Sequence, residues 1–144
     1  MLKKSLMLTM LMLLGLTVSA CAQARQTNEA SKIYGTWTGE SICANKKKFP
    51  ACKDEQVVYH FSKSTADAAK IHLAAEKIVN GTNELMYEQE FTFDAAQNTL
   101  TGEFTVNRFH GVWEYKVAGD TMEGTLKILP EKTLARQIKV KKQP

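Results

Sequence analysis

Long apolar stretches are nearly absent from this 144-residue chain. The one sustained run, Leu6 to Val18, is about 13 residues, too short for a membrane-spanning helix. Cysteine is limited to 3 and histidine to 3, which leaves no paired cysteine spacing of the zinc-ribbon kind. Glycine is sparse as well, with 8 residues and no Gly-rich phosphate loop. No G-x-S-x-G elbow occurs, and no cysteine stands beside a histidine. His60, His72 and His110 each alternate with apolar neighbours, which puts them on the outer faces of strands without a third metal ligand. Acid pairs such as Glu88 and Glu90 fall on an outer face and read as solubilising. No enzyme, cofactor or metal is expected from this inventory. The formal charge of +4 drops to +2 without Lys3 and Lys4, and its two small basic clusters, Lys46 to Lys48 and Lys139 to Lys142, do not make a nucleic-acid site.

What is present begins at the N-terminus. Lys3 and Lys4 precede the apolar run, which closes on Val18-Ser19-Ala20-Cys21, the layout of a secretory signal peptide. The last four residues resemble a bacterial lipobox, and that resemblance implies cleavage before Cys21 and acylation of its sulfur. Ordinary cleavage after Ala24 is the alternative, because Ala22-Gln23-Ala24 also fits the small-x-small rule. On this reading residues 1–20 are the signal, 21–32 a polar tether and 33–142 one folded domain. The expected address is the bacterial envelope, lipid-anchored at the outer membrane on its periplasmic side. With Cys21 used for lipid, Cys43 and Cys52 remain as an even pair in an oxidising compartment and are expected to form a disulfide.

Beyond residue 33, apolar and polar residues alternate almost throughout, the period of half-buried strands. Eight strands are expected: 33–43, 56–62, 70–79, 84–93, 99–106, 109–118, 121–129 and 133–141. Asn80-Gly81 and Gly119-Asp120 mark tight turns. Residues 64–69 leave room for one helical turn at most. An all-β, eight-stranded antiparallel up-and-down barrel hides every apolar face and removes open edges, with a sandwich as the competing arrangement.

Arg136 shares a predicted face with Leu134, Ile138 and Val140. A guanidinium on an apolar face needs a partner. In a closed barrel the first and last strands are neighbours, so Trp37 is the expected cation–π partner of Arg136. Gly35-x-Trp37 on the first strand and a basic residue on the last resemble the calycin superfamily, specifically the bacterial lipocalin-like proteins. The middle motif of that family, around a Thr-Asp-Tyr turn, is not evident. The resemblance implies a ligand-holding barrel with Gly35, Trp37 and Arg136 as its structural signature.

Two functions follow as expectations. The first is non-catalytic binding of a small, largely apolar molecule by inward side chains at one end of the barrel. Tyr59, Phe61, Leu85, Tyr87, Phe91, Phe104, Trp113 and Tyr115 are the candidates, together with Leu73, Met122 and Leu126; plain core packing is the competing account of all of them. The alternative is a protein-binding envelope lipoprotein, such as an inhibitor of a periplasmic enzyme. It would act through the loop between Cys43 and Cys52, which carries Lys46 to Lys48 and Phe49 and would be stiffened by the disulfide.

Overall fold

The computed structural model describes residues 22, 24, 25 and 28–144. The signal segment 1–20 and the lipidation candidate Cys21 lie outside the described residues. Eight strands follow one another: β1 (Gly35–Cys43), β2 (Glu55–Lys63), β3 (Lys70–Val79), β4 (Thr82–Asp94), β5 (Thr99–Val106), β6 (Phe109–Ala118), β7 (Thr121–Ile128) and β8 (Thr133–Lys142). They form a closed antiparallel barrel in up-and-down order, with β8 returning to pair with β1.

The alternating pattern produces this shape directly. Val57, Tyr59 and Phe61 on β2, Ile71, Leu73 and Ala75 on β3, and Phe91 and Phe93 on β4 are all buried. Their intervening neighbours are at least partly exposed, save the buried Val58. Asn80 and Gly81 adopt positive φ (51° and 80°), the conformation that a two-residue hairpin turn with native twist requires. Residues 64–69 are not helical: the buried Ser64 Oγ accepts from the backbone N–H of Ala66 and Asp67, closing a turn.

One end of the barrel is floored by the chain leading into it. Residues 28–31, the end of the segment expected as a tether, are helical, and Ala30 and Tyr34 pack on the core beside the fully buried Ile33. Gly35 has φ +125°, a conformation open to glycine and strained for other residues. That turn ends the floor and starts β1 two residues later than the alternation suggests. It lets the buried Trp37 donate its indole N–H back to the Ile33 carbonyl at 2.8 Å.

The opposite end, the mouth, carries the connections β1–β2, β3–β4, β5–β6 and β7–β8. Its largest loop is stapled by the Cys43–Cys52 disulfide. A disulfide is consistent with an extracytoplasmic location. Asp54 holds the loop further, accepting from the Cys43 N–H and from Lys46, each at 2.8 Å.

Three side chains depart from the sequence reading. Arg136 does not meet Trp37, because the register pairs Trp37 with Lys142 and Cys43 with Arg136. Six residues separate the two rungs, about 20 Å along a strand. Lys142 is the residue over the indole, its Nζ 5.8 Å from the ring. Leu134 leaves the Arg136 face: the β7–β8 register shifts between Leu126 and Lys127, so that Leu134 pairs with Lys127 and Ala135 turns inward. Leu85 likewise lies outside the barrel and is 60% exposed. A bulge at Met86 puts Leu85 opposite the outward Glu76, while Tyr87 stays opposite the buried Ala75. One inserted residue reverses the face of everything beyond it.

Candidate functional site

The inward aromatics divide into two layers. Tyr59, Phe61, Phe91 and Tyr115 are buried and pack edge to face, with ring centroids 5.6 to 6.5 Å apart. Such contacts fill space and hold orientation. Nearer the mouth the geometry changes. Trp113 stacks nearly parallel to both Tyr87 and Tyr115, with ring centroids at 5.8 and 6.0 Å. Phe104 leans on Trp113 from its side at 6.4 Å and is only half-buried, as is Tyr87.

Of the residues predicted to line a ligand site, the barrel therefore gathers Tyr59, Phe61, Tyr87, Phe91, Phe104, Trp113 and Tyr115 inside. Leu85 is the exception described above. Small residues make the crowding feasible. A Cβ on Gly111 would come within 2.5 Å of the Phe104 ring, and one on Gly124 within 2.3 Å of the Tyr115 ring.

Three phenolic hydroxyls converge within this stack. Tyr59, Tyr87 and Tyr115 stand close enough to influence one another's ionisation as hydrogen-bonding neighbours, yet the buried hydroxyls of Tyr87 and Tyr115 reach no partner at full hydrogen-bond distance and angle. Burial is the main cause that pushes both well above the ordinary tyrosine value, and a phenolate on Tyr59 would oppose each further. Tyr59 is raised by burial too, with partial relief from its two neighbours. All three are thus neutral donors at ordinary pH. A buried hydroxyl without a partner costs free energy that a hydrogen bond recovers.

Above the tyrosines sits the inward cation. Arg136 Nη1 donates to Ser41 Oγ at 2.9 Å and lies 3.2 Å from Glu55, while Nη2 donates to the Lys53 carbonyl at 3.0 Å. The guanidinium does need a partner on that face, and the partner is a carboxylate rather than an indole. Besides the buried Ser41, two further polar members of this interior escaped the sequence reading. Glu55 continues the Val57-Tyr59-Phe61 alternation and Gln89 continues Tyr87-x-x-x-Phe91, so both could have been placed inward by parity alone.

The remaining candidates lie elsewhere. Each histidine sits against glutamate on the outer surface: His60 with Glu76, His72 with Glu88 and Glu90, and His110 with Glu103, at 3.0 to 3.4 Å. No cluster of three or more metal-binding side chains occurs among the described residues. In the stapled loop, Phe49 packs on the core, Lys46 is bound to Asp54, and Lys48 donates to Thr133 Oγ1 at 2.8 Å. Two clefts, of about 410 and 730 Å³, open respectively over the outer surface of β1, β7 and β8 and beside the floor helix. Neither is lined by Tyr87, Phe104 or Trp113.

No protein-family model matches this chain, nor does any curated protein or solved structure. The strand count and closed order are compatible with a lipocalin-like barrel.

Proposed function

We propose that this protein is a non-catalytic, lipid-anchored envelope barrel that binds a small, largely apolar molecule carrying one hydrogen-bond acceptor. Acylated Cys21 holds it to the membrane, and the mouth end of the barrel takes the ligand. The observation that carries this reading is the pair of buried, unpartnered hydroxyls on Tyr87 and Tyr115, set in a stack with Trp113. The acceptor group of the ligand receives the hydroxyl protons, and its apolar part lies along the indole and the half-buried Phe104. Movement of Tyr87 and Phe104, the two rings not fully enclosed, opens the seat. Buried apolar area at roughly 25 cal/mol per Å² supplies the affinity, and the hydroxyls fix the orientation.

The test uses the two tryptophans. In a Trp37→Phe variant the emission comes from Trp113 alone, and titration with fatty acids, isoprenoids and aromatic metabolites should quench it saturably for at least one class. Tyr87→Phe with Tyr115→Phe should weaken that binding by at least tenfold while leaving the protein folded. Native mass spectrometry of protein taken from its own envelope should retain the ligand. A flat response to every class, with no retained mass, would overturn the reading.

A further inference from the structure

The barrel is not closed equally at every seam. β4 and β5 pair only through Thr92↔Thr101, Phe93↔Leu100 and Asp94↔Thr99, although β4 begins at Thr82 and β5 ends at Val106. Toward the mouth the two strands part, and each pairs only with its other neighbour. Ten residues of β4, Thr82 to Phe91, and five of β5, Gly102 to Val106, thus border an unpaired gap. A side chain spans it in place of the backbone: Gln89 Nε2 donates to the Glu103 carbonyl at 3.2 Å.

Free edges of this length are ordinarily protected by lysine, proline or a covering segment. Among the described residues this one has a single bulge at Met86 and no covering element. Its charge has one sign. The two bordering stretches hold four glutamates, Glu84, Glu88, Glu90 and Glu103, and no lysine or arginine, in a chain with 19 basic and 15 acidic side chains. Apolar side chains rim the same gap, with Leu85 60% and Val106 57% exposed.

We propose that the β4–β5 gap is a docking site for an extended cationic peptide segment of a partner protein, which adds to the free edge of β4 as an extra strand. Main-chain hydrogen bonds supply the register, as in other cases of strand addition. Side chains of the added strand alternate between the two faces. Basic residues on its outer face meet Glu88, Glu90 and Glu103, sharing these carboxylates with His72 and His110, and apolar residues between them meet Met86, Tyr87 and Phe104. A second copy of this chain fits less well, because β4 against β4 would set an acidic strand beside an acidic strand. This site adjoins the ligand seat and shares Tyr87 and Phe104 with it, but its main-chain pairing to β4 does not require a bound ligand.

The experiment uses the mature chain and fluorescent ten-residue peptides. A peptide alternating Lys and Val should bind, with affinity falling as salt is raised, and a Glu–Val peptide should bind at least tenfold more weakly. The charge-reversed variant Glu88→Lys, Glu90→Lys should lose at least tenfold for the Lys–Val peptide. A Lys–Val peptide N-methylated at alternate residues keeps its charge but cannot donate along one edge, so it should also lose at least tenfold. Amides in residues 83–90 should gain hydrogen-exchange protection on binding. Equal binding of the N-methylated peptide would reduce the effect to charge attraction and overturn strand addition. Protection of the same amides by concentration-dependent dimerisation would overturn the proposal in favour of self-pairing, and no binding would overturn it outright.

Discussion

Two seams of one barrel behave oppositely. The seam joining the first strand to the last, β1 to β8, is paired over seven consecutive rungs from Trp37↔Lys142 to Cys43↔Arg136. The seam between β4 and β5, which are neighbours in sequence, is paired over three. Closing distant ends costs more loop entropy than joining a hairpin, yet the distant pair is the better made. The contacts explain it. At β1–β8 the backbones press together, so that a Cβ on Gly39 would lie 2.0 Å from the Lys139 carbonyl oxygen. Below that point Trp37 is tied to the floor through Ile33, and above it Arg136 joins Ser41, Glu55 and Lys53. At β4–β5 the interval is held by a side-chain amide. Barrel closure here is a property of specific rungs, and the seam it spares is open to other uses.

Matched glycine substitutions should break this comparison most sharply. Gly39→Ala drives a methyl into backbone that cannot yield without parting β1 from β8, and should cost more than about 3 kcal/mol. Gly102→Ala on β5 meets the Gln89 amide at 2.5 Å and the Phe91 ring at 2.9 Å. An amide at the end of a flexible side chain can move, so the cost should be about 1–2 kcal/mol. Urea unfolding of the two variants measures the difference, and equal losses would mean that the two seams are equally strained.

The staple at the mouth comes next in size. Replacing Cys43 and Cys52 by serine frees a loop of about ten residues and should lower stability by roughly 2 to 3 kcal/mol on the loop-entropy account. Labelling of free thiols in the denatured, unreduced protein should find neither cysteine reactive. Asp54, which anchors the same loop, has its carboxyl held below the ordinary 3.8 by its hydrogen bonds from Lys46 and from the Cys43 N–H. A lowered native value stabilises above the unfolded pKa, so this support should fade as pH falls below about 4.

The sequence conveyed most of this architecture and little of its rungs. Strict alternation identified all eight strands and the inward aromatics, because a two-residue period assigns faces without knowledge of partners. Alternation says nothing of height along a strand. Arg136 was placed correctly on the inner side, but only the register shows that it stands six rungs from Trp37. Bulges are invisible for a related reason. Leu85-Met86 and Leu134-Ala135 are each two apolar residues in a row, and either member could have faced inward. The β4–β5 gap leaves no trace either, since both strands keep alternating after their pairing has stopped.

The tyrosines sharpen the comparison from inside the mouth. Tyr87→Phe and Tyr115→Phe remove buried hydroxyls that reach no partner at full hydrogen-bond distance and angle, so each should leave stability unchanged or raise it by up to about 1 kcal/mol. Their native pKa values lie above the unfolded 10.0. A raised native value means that the folded state holds its protons longer, so the stability is complete below pH 10 and declines as pH rises beyond it. Phenolate absorbance from these rings should therefore rise together with unfolding, and the double Phe variant should unfold at higher pH. A separate phenolate titration in the still-folded protein would mean that water reaches the stack.

The smallest expected effect concerns which cation belongs to Trp37. The calycin-like expectation assigned Arg136, whereas the register brings Lys142, whose Nζ lies over the indole and also donates to the Lys32 carbonyl at the floor. A partly exposed cation–π pair contributes about 0.5–1 kcal/mol. A double-mutant cycle between Trp37→Phe and Lys142→Met should return coupling of that size, while Trp37→Phe with Arg136→Met should be additive within about 0.5 kcal/mol. Arg136→Met alone should cost more than Lys142→Met, because it strands the half-buried Glu55 carboxylate without its ion-pair partner. Coupling of Trp37 to Arg136 in place of Lys142 would require β8 to slide along β1, and with it the seven-rung seam that distinguishes this side of the barrel from the other.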